Sequence, residues 1–446
     1  MALLSIQVAT SYNELSHEIA ADKSGCIDDK DCNLNGECIE NICKCDAPWT
    51  GSDCGMLDVL PAPNHVSFHG ESSKSTSWGG SVLRVPSKLL GGHASEQNDT
   101  YVMYVAEMLN ECGLREWTTN SAVAVATSPT PDGPYTRRKR IIQPWSHNPQ
   151  AIHVRDKVKE GDDHDIFAVY TLGDGDGKPV HGPVKDCRKE KSPTNYLRLQ
   201  SPVHNFYEQI KSLRFLAEDG ANSEDAGNTT VSFTIHYSVD SPLGPFLAHT
   251  AQIVDFPKVY GFPGNWNPSP VALPDGRVRM MVHIGNSQGK IGGIIVEASN
   301  WKGPYQVLTG DVISCIECEE DPFLWIDKRG HWHALFHKMF DPIPVSDEYY
   351  LYDNYDGHPD QNGCCPSPGW SGGHAFSEDG LVWSDITRCY NTTIFFEDGT
   401  QSEMYRRERP KLIFDYDGVT PTHLSNGVFE KERGTFTLVT PLRRAP

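Results

Sequence analysis

The feature that most constrains the fold of this 446-residue chain is a pair of short segments that alternate along it. The first, which we call a leading motif, is a polar or aromatic stretch that runs into an apolar strand. It occurs at residues 77–82, 146–151, 266–271, 320–324 and 408–413. The second is a strand that ends in a small residue, Ser and a turn, at residues 125–128, 236–238, 296–299 and 374–377. Repeats of short strands in this order predict an all-β fold with a five-bladed β-propeller at residues 64–446, whereas a sandwich would not repeat the order.

One stretch departs from the strand pattern. Phe206, Ile210, Leu213 and Leu216 recur at helical spacing, which predicts a helix over residues 205–218. We expect this helix to belong to an insertion in the second blade, with a flexible Gly/Asp/Asn-rich end at residues 221–227.

Six of the 13 cysteines lie close together near the N-terminus, between Cys26 and Cys54. Their spacing, with a Cys-x-Cys and a late Gly-x-x-Cys, resembles an EGF-like module over residues 23–56. The resemblance implies the disulfides Cys26–Cys38, Cys32–Cys43 and Cys45–Cys54. So small a unit cannot bury a sufficient core, and crosslinks must supply much of its stability. Residues 22–25 lack the acidic cluster of the calcium-binding variant, and a zinc knuckle would need His at ligand spacing.

Several features bear on compartment and partners. Residues 1–22 form an N-terminal segment whose mildly apolar start is a candidate remnant of a signal peptide, although it lacks a basic region. The cysteines and the sequons at Asn98, Asn228 and Asn391 predict a secreted or cell-surface protein. A net charge of −20 argues against nucleic acid as the partner, and no apolar run is long enough to span a membrane. Seven cysteines remain, so one is free or pairs outside the chain. The oligomeric state is not indicated.

In a propeller, the first strand of each blade lines the central channel, so the residues just before it face a ligand-binding funnel. These funnel positions hold polar side chains and two aromatic walls: Trp78/Gly79, His147/Asn148, Trp266/Asn267, Glu320/Asp321 and Glu408/Arg409. His333 and His337 alternate along one strand, where a structural histidine is the commoner case. We predict no metal and no cofactor, except that a histidine inside the channel could hold a structural cation.

At these positions the chain resembles the five-bladed glycoside hydrolases related to families 43 and 32. In that group, one Asp-Pro supplies the base, a second tunes the acid's pKa, and a Glu-x-Pro supplies the acid. Asp321-Pro322 and Glu408-Arg409-Pro410 match two of these motifs. If the three roles occupy consecutive blades, Asp321 falls on the tuning position and the base position falls on Asn267, which is not a carboxylate. Another carboxylate (Glu320 or Glu107) could be the base, Asp321 itself could be the base, or the chain could be a binding protein that has lost the chemistry.

The resemblance implies hydrolysis of a glycosidic bond by two carboxyl groups, roughly 6.5–9.5 Å apart if the reaction inverts the anomeric centre. We expect an inverting enzyme with Glu408 as the acid, Asp321 as base or tuning residue and Glu320 as a helper. The expected carbohydrate contacts are Trp78, His147, Asn148, Trp266, Asn267, His337, Arg409 and Glu107. Arg409 and Arg406 could also bind a uronate or sulfate group. The competing expectation is an inactive lectin-like or adhesion protein on the same scaffold.

Overall fold

The computed structural model describes residues 25–91, 99–157, 163–178, 182–189, 228–257, 260–261, 267–286, 291–309, 313–315, 319–339, 370–430 and 433–444. The regular secondary structure of these parts of the chain is almost entirely β-strand, which confirms the all-β prediction. Helix in them is limited to the short α1 (Trp117–Asn120) and to 3₁₀ turns at Asp29–Cys32, Ser87–Leu90, Leu109–Glu111, Leu114–Glu116 and Cys187–Lys189. The predicted helix at residues 205–218 and the stretch at 221–227 lie outside the described residues.

The N-terminal module, by which we mean residues 25–60, contains two small antiparallel hairpins. They are β1 (Gly36–Ile39) with β2 (Ile42–Cys45), and β3 (Trp49–Thr50) with β4 (Met56–Leu57). Disulfides join Cys26 to Cys38, Cys32 to Cys43 and Cys45 to Cys54, the three pairs that the resemblance implies. Because Cys32 and Cys54 are buried, the crosslinks themselves form much of the module's interior.

The first half of the remaining chain forms one four-stranded sheet and the beginning of a larger one. The four-stranded antiparallel sheet contains β5 (Thr76–Pro86), β6 (Asp99–Met108), β7 (Ser121–Ser128) and β8 (Thr136–Ile142). The next strands are β9 (His147–Lys157), β10 (Asp163–Leu172), β11 (Asn228–Val239) and β12 (Leu247–Pro257). Because β12 also pairs in parallel with a later strand, β17 (Tyr305–Val307), the second sheet continues into the following repeat.

The later strands complete the large sheet and form the smaller ones that follow it. The large sheet has ten strands and ends with β13 (Tyr260–Gly261), β14 (Ser269–Ala272), β15 (Val278–Asn286), β16 (Ile291–Ala298), β17 (Tyr305–Val307) and β18 (Ile313–Cys315). The next sheet contains β19 (Glu319–Ile326), β20 (Trp332–Met339), β21 (Trp370–Ser377) and β22 (Thr387–Tyr390). A hairpin of β23 (Thr393–Phe395) and β24 (Gln401–Glu403) precedes the last sheet, which contains β25 (Arg406–Phe414), β26 (Pro421–Glu430) and β27 (Gly434–Pro441).

The apolar cores lie between successive sheets. Val102 and Tyr104 of β6 pack with Phe167 and Val169 of β10, and Met281 of β15 packs in one cluster with residues of β19 and β20. The strands between two such cores are apolar on both faces, as in β7, where every residue is buried. Near-continuous apolar runs are what strands covered on both faces require.

The first strands of the repeats contact one another in a closed ring: β5 on β9, β9 on β14, β14 on β19, β19 on β25, and β25 on β5. The fold is therefore a closed, propeller-like arrangement in which all the leading motifs meet. The count of five blades stays a prediction, because β9 to β18 form a single sheet in the described residues. The predicted domain boundaries likewise stay predictions. Among the described residues, no helix has the length and apolar character needed to cross a membrane.

Candidate functional site

The leading motifs share a backbone feature that places their side chains. The second funnel residue of each motif has a positive φ: Gly79 (62°), Asn148 (45°), Asn267 (30°), Asp321 (58°) and Arg409 (55°). The strand pairing is irregular at four of these positions, in β5, β9, β19 and β25. Residues other than glycine rarely adopt this conformation, and they keep it only where the surrounding structure fixes it. Its recurrence therefore indicates a shared local geometry at the ring.

Five side chains from four of these motifs form a hydrogen-bonded cluster. Asn148 Nδ2 donates to Asn267 Oδ1 (3.0 Å) and Asp321 Oδ1 (3.3 Å). Arg409 Nη1 donates to the same two oxygens, at 3.2 Å from Asn267 and in closer contact with Asp321. Lys411 Nζ donates to Asn148 Oδ1 at 2.8 Å. We call these five residues, all of which are buried, the central cluster.

Charge in the central cluster is set by burial and by two cations. Burial alone would raise the pKa of Asp321, but Arg409, His337 and Lys411 together outweigh it and hold that pKa below its usual range. Burial lowers the pKa of Lys411 to about 7, against the attraction of Asp321 and with the repulsion of Arg409. Asp321 is therefore ionised at neutral pH and can accept a proton but not donate one.

Glu408, the predicted acid, is buried beside the central cluster. Arg406 Nε donates to Glu408 Oε1, and the Arg406 guanidinium lies 5.2 Å from the centre of the Trp78 ring. The backbone oxygen of Glu408 accepts a hydrogen bond from Asn426 Nδ2 (3.2 Å), and Asn426 Oδ1 accepts one from the buried Arg407 (3.0 Å). The charged run at 406–409 is thus largely buried and not a solvated surface.

Glu320, Asp321 and His337 are the residues best arranged to hold a cation. Each offers one ligand atom within 4.8 Å of the others, and Asp321 Oδ2 lies 3.5 Å from His337 Nδ1. Arg409 contacts the other oxygen of the same carboxylate, and its positive charge disfavours a cation at this position. Glu320 is half-buried, while Asp321 and His337 are buried.

The other predicted site residues fall in different places. His147 is buried and its Nδ1 lies 2.7 Å from Ser121 Oγ; burial and the charge of Arg409 lower its pKa, so its ring is neutral. Trp78 is buried and lies under Arg406. Glu107 is not part of the central cluster, because its buried carboxylate accepts two hydrogen bonds from Arg137 (2.8 and 2.7 Å). Trp266 lies outside the described residues.

Sequence reasoning missed Lys411, Arg407 and Asn426. Lys411 belongs to the leading motif at 408–413, two residues after Arg409, and that proximity was the available signal. The pairing irregularity between Glu408 and Lys411 breaks the simple alternation of side chains along a strand. No local pattern could have shown that Asn426, on the neighbouring strand β26, holds the backbone of Glu408.

Comparison with known proteins finds related folds but no related sequence. No protein-family model and no curated protein matches the chain. Three similar solved structures are a putative exo-beta-1,3-galactanase from Bifidobacterium bifidum s17, the family 117 glycoside hydrolase Zg3597 of the marine bacterium Zobellia galactanivorans, and a thermostable family-43 glycoside hydrolase. Their sequence identities to this chain are 12%, 11% and 11%, and their TM-scores are 0.38, 0.41 and 0.38.

The alignments to these three structures are long. They cover 83%, 86% and 87% of this chain and 94%, 88% and 94% of the other chains, in the same order. The structural neighbours therefore include the group that the leading motifs resemble. At such identities and TM-scores the likeness concerns the fold, and no role of a residue is taken from it.

Proposed function

We propose that this protein hydrolyses a glycosidic bond of an oligosaccharide or polysaccharide, with Glu408 as the general acid. The observation that carries the proposal is the contact between Arg409 and Asp321. It joins the two carboxylate-bearing leading motifs, which are 88 residues apart in sequence. Hydrolysis needs one protonated and one ionised carboxyl group near each other, and these motifs supply Glu408 beside an ionised Asp321.

Asp321 tunes the site in this proposal, and Glu320 activates water. The engagement of Asp321 Oδ1 by Arg409 and Asn148 favours a fixed negative charge over a group that must accept a proton. Glu320 is half-buried and therefore more accessible to water. Arg406 donates a hydrogen bond to Glu408 Oε1, so in this proposal substrate binding separates the two side chains and frees the carboxyl group for the glycosidic oxygen.

A second candidate function is glycan binding without hydrolysis. It is favoured by Asn267 at the position where the family has a base, and by the contacts of Asp321 and Glu408 with arginine side chains. In either case the partner is a carbohydrate. We also propose that the protein is secreted or lies at the cell surface, since the four disulfides of the described residues are of a kind that persists in oxidising compartments.

The test is incubation of the full chain with arabinofuranosides, xylosides and galactosides, with product anomers followed by NMR. We expect hydrolysis with inversion. Glu408→Gln should lower the rate by about 10²–10⁴-fold, the usual contribution of general acid catalysis, while glycan binding is retained. Glu378→Gln, which changes an exposed glutamate paired with Lys30, is the matched control and should leave the rate unchanged.

The outcomes separate the two functions. Binding without product on every glycan would reject hydrolysis and leave the binding function. An unchanged rate in Glu408→Gln would reject Glu408 as the acid. No binding and no product would reject both functions.

A further inference from the structure

The N-terminal module is held on the turn between β19 and β20, at the opposite end of β19 from its leading motif. Arg329 of that turn donates to the backbone oxygens of Gly36 (3.0 Å) and Leu34. Asp46 of the module pairs with Arg329 (3.0 Å) and with Lys328 (2.7 Å). Alongside these polar contacts, the module inserts Trp49 into an apolar cluster that includes Trp325, Leu335 and Leu424.

A buried pair of histidines lies directly under Trp49. The Trp49 and His374 rings are 4.6 Å apart, and His374 Nε2 lies 3.0 Å from His333 Nδ1. Trp325 stacks on His333 at 5.1 Å with an interplanar angle of 18°. A hydrogen bond between two ring nitrogens needs one donor and one acceptor, so at least one imidazole must be neutral. Trp49 of the module therefore packs against a histidine pair in which at least one ring is uncharged.

The charged groups around this pair do not compensate a positive charge on it. Asp327 Oδ2 lies 3.6 Å from His333 Nε2, but Arg329 and His331 oppose its effect. His374 is more isolated, because its Nδ1 is buried and has no hydrogen-bond partner among the described residues. Burial lowers the pKa of both rings, and that of His374 falls well below the ordinary value. Both histidines are neutral at pH 7 while the module is docked.

Water has a short route to the pair. A cavity of about 280 Å³ lies between the module and the propeller, and its lining includes Trp49, Trp325, His333 and Asp46. A small opening of this interface would expose both rings to protons.

We propose that acidification releases the N-terminal module from the propeller by protonating the His333–His374 pair. Separation gives each imidazolium water in place of a position where burial outweighs the attraction of the single nearby carboxylate, Asp327. The release depends on the interface between the N-terminal module and the propeller, and not on the proposed hydrolysis.

The direction with pH follows from the two pKa values. Each histidine has a lower pKa in the docked form than in water, where it is about 6.5. Docking is therefore at full strength above about pH 6.5 and weakens as pH falls, by up to tenfold per pH unit for each proton taken up on release.

The test is hydrogen exchange of the full chain between pH 7.5 and 5, read by mass spectrometry and corrected for the intrinsic pH dependence of exchange. We expect protection of both sides of the interface, at residues 33–37 and 46–50 of the module and 325–333 of the propeller, to fall together. The exchange-competent fraction should rise about tenfold per pH unit below pH 6. Wild-type protection that does not change with pH would overturn the proposal.

Variants test the histidines themselves. His374→Phe keeps an aromatic ring under Trp49 but cannot be charged, and His333→Gln keeps a polar group without a charge. Either should remove most of the pH dependence. His164→Gln, which changes an exposed histidine paired with Asp240, is the control and should follow the wild type. If a variant that folds at pH 7.5 keeps the wild-type pH dependence, its histidine is not the trigger. If neither variant folds, the wild-type profile alone decides.

Discussion

At the scale of single residues, the central cluster is organised around a buried ion pair between Asp321 and Arg409. Asp321 and Arg409 are both buried, and each is the principal charge partner of the other. A buried pair often adds little net stability, but removing one member leaves the other charged and without a partner. The amides of Asn148 and Asn267 extend the pair into a network that reaches four leading motifs.

Arg409→Met should lower the free energy of unfolding by about 3–5 kcal/mol, because Asp321 loses its compensating charge inside the protein. The control is Arg277→Met, whose side chain is 44% exposed and pairs with Asp275 and Glu297. That exposed pairing is worth about 1 kcal/mol or less. Urea unfolding of both variants measures the difference, and equal losses would show that the buried pair has no special weight.

The lowered pKa of Lys411 predicts that the stability of the folded protein depends on pH above neutrality. Its pKa in the folded protein is about 7, whereas a lysine in the unfolded chain titrates at about 10.4. Between these values the unfolded state binds more protons, so this residue makes stability rise with pH from about 7 to 10. Lys411→Met removes that contribution, and the stability of the wild type relative to the variant should increase across this range. Urea midpoints at several pH values measure it, with Lys178→Met, whose side chain is 86% exposed, as the control; a constant difference would contradict the prediction.

At the scale of elements, the leading motifs explain how five separate strands deliver side chains to one point. Their positive φ values lie next to pairing irregularities, which let the backbone turn a residue out of the regular alternation. Asn, Asp and Gly tolerate this conformation well, and Arg409 is the exception. Position 79 requires glycine for a second reason, because a Cβ there would lie 2.6 Å from Arg409 Cβ.

Gly79→Ala separates close contact from backbone strain. Gly418 also has a positive φ (72°), but a Cβ there would meet nothing within 4 Å. Gly418→Ala should therefore lower the free energy of unfolding by only the conformational cost of about 1 kcal/mol. Gly79→Ala should lower it by about 1–3 kcal/mol more, because Arg409 must move away from its partners. Thermal or urea unfolding measures both, and equal costs would show that the approach of the two motifs is not tight.

At the scale of the whole molecule, one crosslink joins segments of the first two sheets in addition to packing. A fourth disulfide, Cys112–Cys187, connects the segment after β6 to the segment after β10, 75 residues apart. Cys389 is a buried free thiol, in keeping with the odd number of cysteines. Cys318, Cys364 and Cys365 lie outside the described residues.

The double change Cys112→Ser and Cys187→Ser should lower the free energy of unfolding by about 4 kcal/mol, since a loop of this length gains much entropy in the unfolded chain. Cys389→Ala is the matched control, because it removes a buried thiol without opening a crosslink. Urea unfolding without reductant measures both variants. A double variant no less stable than the control would show that packing alone holds these segments together.

The local pattern of the sequence determined the strand content, the order of the repeats and the positions of the leading motifs, because strand periodicity and turn residues act over a few residues. It also pointed to Asp321, Asn148, Asn267 and Arg409 as residues of one site. Only the tertiary structure decided how they pair. The contact from Lys411 to Asn148 spans 263 residues, and it exists because the ring closes. Arg407 is buried within its own sheet, where it contacts Asn426 and Thr440 on the other two strands. Glu107, by contrast, is not part of the central cluster, because its carboxylate pairs with Arg137, a residue two strands further along the chain.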